Sequence, residues 1–145
     1  MKVQEIKGKK LNMSQIFRQD GVVIPVTYIQ VDDPQFIQED LKDKNISVTG
    51  ISKGRGFAGG MKRYGFKHQH VTRGSSSKVR AMGSLGCQTP SRVFKGKRMP
   101  GHYGNEQVTI HGLRIVDFIK ENSLILVSGS VPGARNSKII LKIKE

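Results

Sequence analysis

The sequence predicts a mainly β protein: a small closed β-barrel with a long, basic, glycine-rich extension and one short helix. Three observations support this prediction. Short β-like runs separated by turn residues occupy both ends of the chain, residues 44–105 contain no Asp or Glu, and 12 of the 17 glycines lie between Gly50 and Gly104. We therefore expect residues 1–50 and 105–145 to form one barrel domain, with residues 51–104 inserted between its strands.

Segments rich in β-branched and aromatic residues predict the strands. In chain order they are VVIPVTYIQV (22–31), NISVTG (45–50), EQVTIHG (106–112), LRIVDFIK (113–120), SLILVSG (123–129) and KIILKIK (138–144). Turn-forming residues separate some of them, Glu121 and Asn122 in one case and Pro132 and Gly133 in another. Pro25 lacks the backbone N–H that a sheet ladder uses, so its strand is expected at an edge or a bulge.

One short helix is predicted within DDPQFIQEDLKDK (32–44). Asp33 can cap its first turn, and Pro34 suits the first helical position. Three apolar side chains then fall on one face of the helix: Phe36, Ile37 and Leu41.

Net charge is the clearest functional signal. Lys and Arg number 25 against 11 Asp and Glu, a formal charge of +14. Residues 44–105 hold 13 of the basic residues and no acid, whereas the remaining 83 residues are close to neutral. A solvated surface normally mixes both signs. The acid-free segment therefore predicts a polyanionic partner, with nucleic acid favoured over an anionic membrane.

Cysteine content and hydropathy restrict the cellular compartment. Cys87 is the single cysteine, so no intrachain disulfide is expected, as is typical of a reducing compartment. The N-terminal sequence MKVQEIKGKKLNMSQIF lacks the apolar core of a secretory signal. No apolar run approaches the roughly 20 residues that cross a bilayer. We expect a soluble cytoplasmic protein with no membrane partner.

Gly54, Gly56 and Gly59 form the pattern G-x-G-x-x-G, which can hold nucleotide phosphates. A dinucleotide site also needs a strand before the pattern, a helix after it and an acid about 20 residues further on. NISVTG can supply the strand, but residues 60–70 predict a poor helix, and the first acid, Glu106, lies 47 positions beyond Gly59. A small nucleotide-dependent enzyme is therefore kept only as the alternative function.

A second interpretation of these glycines fits the charge pattern better. Glycine lets a backbone bend and approach another surface closely. Lys53 and Arg55 are interleaved with the glycines, so the surface approached is expected to be rich in phosphate.

The histidines and the cysteine do not predict a metal site or a catalytic site. His68, His70 and His102 lie among many cations and near no acid, and a zinc site needs three or four suitably spaced ligands. Cys87 has no identifiable base with an orienting carboxylate. We therefore expect no catalytic residue, no metal, no cofactor and no small-molecule substrate.

Basic and aromatic residues alternate through the extension, which favours nucleic acid as the partner. Cations neutralise phosphates, and rings such as Phe57, Tyr64, Phe66, Phe94 and Tyr103 stack on unpaired bases. No recognition helix for duplex DNA is visible, so RNA is favoured over a DNA-compacting role. The predicted contact residues are Lys53, Arg55, Lys62, Arg63, Lys67, His68, His70, Arg73, Lys78, Arg80, Arg92, Lys95, Lys97, Arg98 and His102.

Long blocks of the sequence resemble the bacterial large-subunit ribosomal protein L-three family. These blocks are VTGISKGRGFAGGMKRYGF, GSLGCQTPSRVFKGKRMPGHYGNEQVTI and LILVSGSVPG, and the opening GKKLNMSQIFRQDGVVIPVTYIQV is similar to the first strands of that family. The resemblance implies a translation-protein-type barrel at the ribosomal surface. It also implies an extension through large-subunit rRNA towards the peptidyl-transferase region, a role in early subunit assembly and no catalytic residues.

The resemblance also implies details of the extension and the barrel. The tip of the extension falls at residues 73–90, where some family members carry an N-methylated glutamine that Gln88 resembles. Partners would be large-subunit rRNA and neighbouring ribosomal proteins, in a cytoplasmic or an organellar ribosome. The connection from Val31 to Ile46 is shorter than in the family, so we expect a barrel that has lost strands or is closed by the short helix.

Overall fold

The computed structural model describes residues 3–36, 41–74 and 77–144. Within these ranges, the strands are β1 Val3–Phe17, β2 Val23–Val31, β3 Asn45–Ile51, β4 Phe57–Ala58, β5 Gly101–His102, β6 Gln107–Ile119, β7 Leu124–Ser128 and β8 Lys138–Lys144, and the α-helix is α1 Gly60–Tyr64. The chain divides into two compact units, one made of residues 1–53 with 105–145 and the other of residues 54–104.

Six strands of the first unit form a closed barrel. Their order is β1-β2-β7-β6-β3-β8, and β8 pairs again with β1, so the sheet has no open edge. Every neighbouring pair is antiparallel. Register shifts interrupt the ladders between Lys10 and Met13 and between Ile46 and Val48, where the strands bend round the barrel. The predicted fold class, mainly β with a closed barrel and a short helix, is confirmed.

Alternating side chains build the apolar core of the barrel. Along β8, Ile139, Leu141 and Ile143 are at most 2% exposed, while Lys138, the first residue of the strand, is exposed. This period of two places every second residue of a strand inside. The core cluster consists of Ile6, Ile29, Val31, Leu41, Ile46, Val48, Ile115, Ile125, Val127, Val131, Ile139, Leu141 and Ile143. Burial of these aliphatic side chains is the main stabilising contribution to the barrel.

The predicted strands agree with the structure, with two differences. The runs at 106–112 and 113–120 are one continuous strand, β6, because Gly112 adopts a φ of 78° and lets the strand bend without ending. Strand β1 is 15 residues long, although residue pattern alone did not mark it. The expectation of an edge strand or a bulge at Pro25 is wrong, because β2 lies between β1 and β7 and Pro25 pairs in register with Gln15. The ladder with β7 begins only at Val26, so the missing N–H interrupts no pair there.

The predicted helix at 32–44 is wrong in its first turn and is not what closes the barrel. Pro34–Phe36 forms a 3₁₀ turn rather than an α-helix. Ile37 lies outside the described residues, and Leu41 is 3% exposed within the core cluster. Closure comes from strand pairing, because β8 lies between β1 and β3.

Lys10 fastens the loop between β7 and β8 to β1. Its Nζ donates hydrogen bonds to the carbonyl oxygens of Val131 at 2.6 Å and Gly133 at 3.0 Å. Its backbone N–H donates to Ser137 O, and its carbonyl accepts from Asn136 N–H. Burial lowers the pKa of the Lys10 ammonium. The loop therefore gains order from a cation that gives up part of its hydration.

Replacing Lys10 by Ala should destabilise the barrel by ~1–3 kcal/mol, because two loop carbonyls lose a charged donor. The pKa of Lys10 is lower in the folded chain than in the unfolded chain. The unfolded state therefore binds the proton more tightly, so this group's contribution to stability rises as pH increases from the lowered value towards 10.5. Urea unfolding at pH 7 and pH 10 measures both effects.

Lys9→Ala is the matched control, because Lys9 is exposed and makes no such bond in the described structure. Its effect should stay within about 0.5 kcal/mol. Equal losses for the two variants would contradict the role assigned to Lys10.

Candidate nucleic-acid interface

The unit formed by residues 54–104 has little regular structure and is held by a short paired stem. Strands β4 and β5 pair antiparallel, with Phe57 opposite His102. Two backbone bonds extend this ladder: Arg55 N–H donates to Tyr103 O at 2.8 Å, and Tyr103 N–H donates to Gly56 O at 2.9 Å. The outgoing and returning chains therefore run side by side at the base of this unit.

The predicted contact residues are almost all open to solvent. Fourteen of the fifteen are exposed, and Arg63 is half-buried. The exposed group consists of Lys53, Arg55, Lys62, Lys67, His68, His70, Arg73, Lys78, Arg80, Arg92, Lys95, Lys97, Arg98 and His102. Residues 54–104 contain no carboxylate side chain, so all of these cations except Lys53, which belongs to the other unit, have no acidic partner within their own unit. Their role as RNA contacts stays a prediction.

Arg63 differs because it makes contacts inside the unit. Its Nη1 donates to the carbonyl oxygen of Met99 at 3.1 Å. A Cβ added at Gly101 would lie 2.7 Å from the same nitrogen, so glycine leaves the space that the guanidinium occupies. Arg63 thus joins α1 to the chain that leads into β5. A count of charges along the sequence could not distinguish this arginine from its exposed neighbours.

The aromatic residues fall into two groups. Tyr64 has the Arg63 guanidinium 5.0 Å and the Arg98 guanidinium 5.7 Å from its ring centroid, and the Phe66 ring lies 6.0 Å away. Tyr103 likewise has Arg55 at 5.2 Å. These cation–π contacts stabilise the unit itself.

Phe57 and Phe94 are in the other group, since they are 79% and 61% exposed. An exposed phenyl ring is costly in water and suits a partner with a flat apolar face, such as an unpaired base. The structure thus reduces the five rings suggested by the sequence to two that present an open face.

The three glycines at 54, 56 and 59 do not form a nucleotide site of the dinucleotide type. Only Gly56 among them has a positive φ, 64°, which fits the bend next to Tyr103. Residues 60–70 were predicted to make a poor helix, and the structure forms only the short α1, which begins at Gly60. This helix is a single turn of five residues, and Glu106 remains the first acid after it. Gly60 is buried, and an added Cβ would lie 3.0 Å from the Phe66 ring, a tight contact that glycine avoids.

The remaining candidate residues do not come together as a catalytic group in the part of the chain that the structure describes. His68 Nδ1 lies 3.0 Å from the carbonyl oxygen of Gln69, and Cys87 is an exposed free thiol. Gln88 is exposed, and its backbone carbonyl oxygen accepts hydrogen bonds from the backbone N–H and the hydroxyl of Ser91, each at 2.8 Å. Its modification stays a prediction. Within residues 3–36, 41–74 and 77–144, no group of three His, Cys, Asp or Glu side chains could hold a metal ion.

The fold and this surface define a small antiparallel barrel protein that carries an acid-free, cationic insertion. None of its described helices is long and apolar enough to cross a membrane. The family model for ribosomal protein L3 matches residues 6–123. The chain belongs to the ribosomal protein L3 family.

Several curated relatives agree with this assignment. The large ribosomal subunit protein uL3 of Pasteurella multocida is 54% identical over 100 residues, which cover 68% of this chain and 48% of the relative. Those of Haemophilus ducreyi and Histophilus somni strain 2336 are 54% and 55% identical over the same length and share of each chain. The matched chain thus spans about half the length of these relatives.

Arg63→Ala should loosen the unit formed by residues 54–104. The variant loses the bond to Met99 O and the contact with Tyr64, so we expect amide hydrogen exchange in α1, β4 and β5 to become about fivefold to tenfold faster. Mass spectrometry of exchanged peptides measures this. Arg80→Ala removes the same charge from an exposed position and should leave exchange unchanged. A similar acceleration in both variants would show that charge alone, and not the Arg63 contacts, is responsible.

Proposed function

We propose that this chain is a structural constituent of the large ribosomal subunit and binds large-subunit rRNA. The observation that supports this most directly is an inserted unit with eleven Lys and Arg, no Asp or Glu and almost complete exposure of its cations. Uncompensated like charges repel one another, and a phosphate backbone removes that repulsion. Because the chain belongs to the ribosomal protein L3 family, large-subunit rRNA is the polyanion that we propose as its partner.

Residues 1–50 with 105–145 then serve as a barrel domain, and residues 51–104 serve as the rRNA-binding extension. The family resemblance supports an extension that runs towards the peptidyl-transferase region, with its tip at residues 73–90. It also supports a role in early subunit assembly beside neighbouring large-subunit proteins, in a cytoplasmic or organellar ribosome. The contribution is structural: the side chains position RNA and carry out no reaction.

The nucleotide-dependent enzyme considered from G-x-G-x-x-G receives no support from the comparisons. The relatives matched are large ribosomal subunit proteins. The required acid after the glycines is also missing. A general DNA-compacting role has no specific observation in its favour.

Binding to large-subunit rRNA fragments should depend steeply on salt. If about six phosphates are neutralised, log K should fall with log salt with a slope of roughly −4 to −5. Filter binding across a salt series measures it. The variant with Arg73→Gln, Lys78→Gln and Arg80→Gln should make the slope less negative by roughly 2 to 3, because three cations are lost. A flat salt response of the unaltered protein would refute the proposal.

Phe94→Ala should weaken RNA binding by ~1–3 kcal/mol without changing the salt slope, because stacking on a base neutralises no phosphate. Val93→Ala is the matched control, since Val93 is an adjacent exposed apolar residue, 44% exposed, without a ring. Equal effects of the two substitutions, or a changed slope for Phe94→Ala, would argue against stacking.

A further inference from the structure

Four lysines form a cluster on the outer surface of the barrel, and none of them is among the predicted RNA contacts. Lys7 and Lys9 lie on β1, and Lys138 and Lys142 lie on β8. The first three are exposed and Lys142 is half-buried, while residues between them in the strands, such as Ile139 and Leu141, are buried. Alternation therefore turns all four lysines to the same side of the sheet. We call this cluster the lysine face.

Strand register brings these like charges together. Lys9 and Lys138 are direct cross-strand partners, an arrangement that costs stability because like charges face each other. Lys142 is paired with Glu5 directly opposite, with Nζ 2.7 Å from Oε1, and this hydrogen bond lowers the pKa of Glu5. Asp32 borders the face, since its N–H donates to Lys7 O. Among the described residues, the carboxylates that border the four lysines are thus those of Glu5 and Asp32.

Polar groups extend the lysine face across two further strands. Ser47 on β3 is the cross-strand partner of Lys142, and its hydroxyl lies 2.8 Å from His111 Nδ1 on β6. In the adjacent row, Thr49 is 5% exposed and its hydroxyl lies 2.9 Å from that of its cross-strand partner Thr109, so only Thr109 of this pair is open to solvent. Hydroxyl and ammonium groups are common donors to phosphate oxygens. Antiparallel neighbours lie ~5 Å apart across a sheet, so Ser47 on β3 lies on the strand next to the lysines of β8.

We propose that the lysine face is a second RNA-binding surface that takes phosphates of the large-subunit rRNA independently of residues 54–104. The identity of the RNA rests on the proposed function. The surface itself rests on the register of β1 and β8, which places Lys9 against Lys138 without a carboxylate between them. Bound phosphate neutralises this pair, which the free protein leaves in repulsion.

The test uses the full chain with Lys7→Gln, Lys9→Gln and Lys138→Gln, which keeps the Glu5–Lys142 pair. We expect the salt slope for large-subunit rRNA to become less negative by roughly 2 to 3. The melting temperature should stay unchanged or rise, because repulsion is removed. Loss of RNA affinity without loss of stability is the combination that a purely structural role would not produce.

The control variant carries Arg18→Gln, Lys42→Gln and Arg135→Gln, an equal charge loss at exposed barrel positions outside the lysine face. Its slope should change by less than half as much. The proposal is overturned if the two variants behave alike, or if the lysine-face variant keeps the original slope. In the latter case a reduced slope for the Arg73, Lys78 and Arg80 variant shows that the proposed function stands without a second surface.

Discussion

The pairing of β8 with both β1 and β3 is the interaction on which the rest of the structure depends. It closes the barrel, turns Ile139, Leu141 and Ile143 inward and leaves no free strand edge. Closure also fixes β3 beside β6, where Ile51 pairs with Gln107. The two ends of the insertion are thereby held next to each other.

The two units are stabilised by different interactions. The barrel buries aliphatic side chains and tolerates a few costly polar groups, such as the Lys10 ammonium, where they order a loop. The unit of residues 54–104 has few apolar residues to bury and no acids, so it relies on backbone pairing and on arginines stacked against Tyr64 and Tyr103. Some of its cations therefore hold the unit together, while most remain available to a polyanion.

Sequence reasoning was accurate where the signal was local and weaker where it was not. β2, β3, β7 and β8 follow from their β-branched composition, and the charge segregation is visible by inspection. β1 was missed by pattern because Gly8 and charged residues dilute its alternation, and the family resemblance alone indicated it. The helix at 32–44 was overestimated because propensity and Pro34 favour a first turn, whereas the structure forms a 3₁₀ turn there. The half-buried Arg63 donates to Met99, which lies 36 positions further along the chain, so no local pattern could predict this contact.

The sequence by itself predicted a β protein and an acid-free insertion, and its long blocks resemble the family to which the comparisons assign the chain. Those properties are local, since alternation, composition and charge are carried by consecutive residues. Only the folded chain decided how the barrel closes, which arginine and which rings are used internally, and that Lys9 faces Lys138. These outcomes depend on strand register between distant segments. A shift of one residue would turn the same side chains to the opposite face.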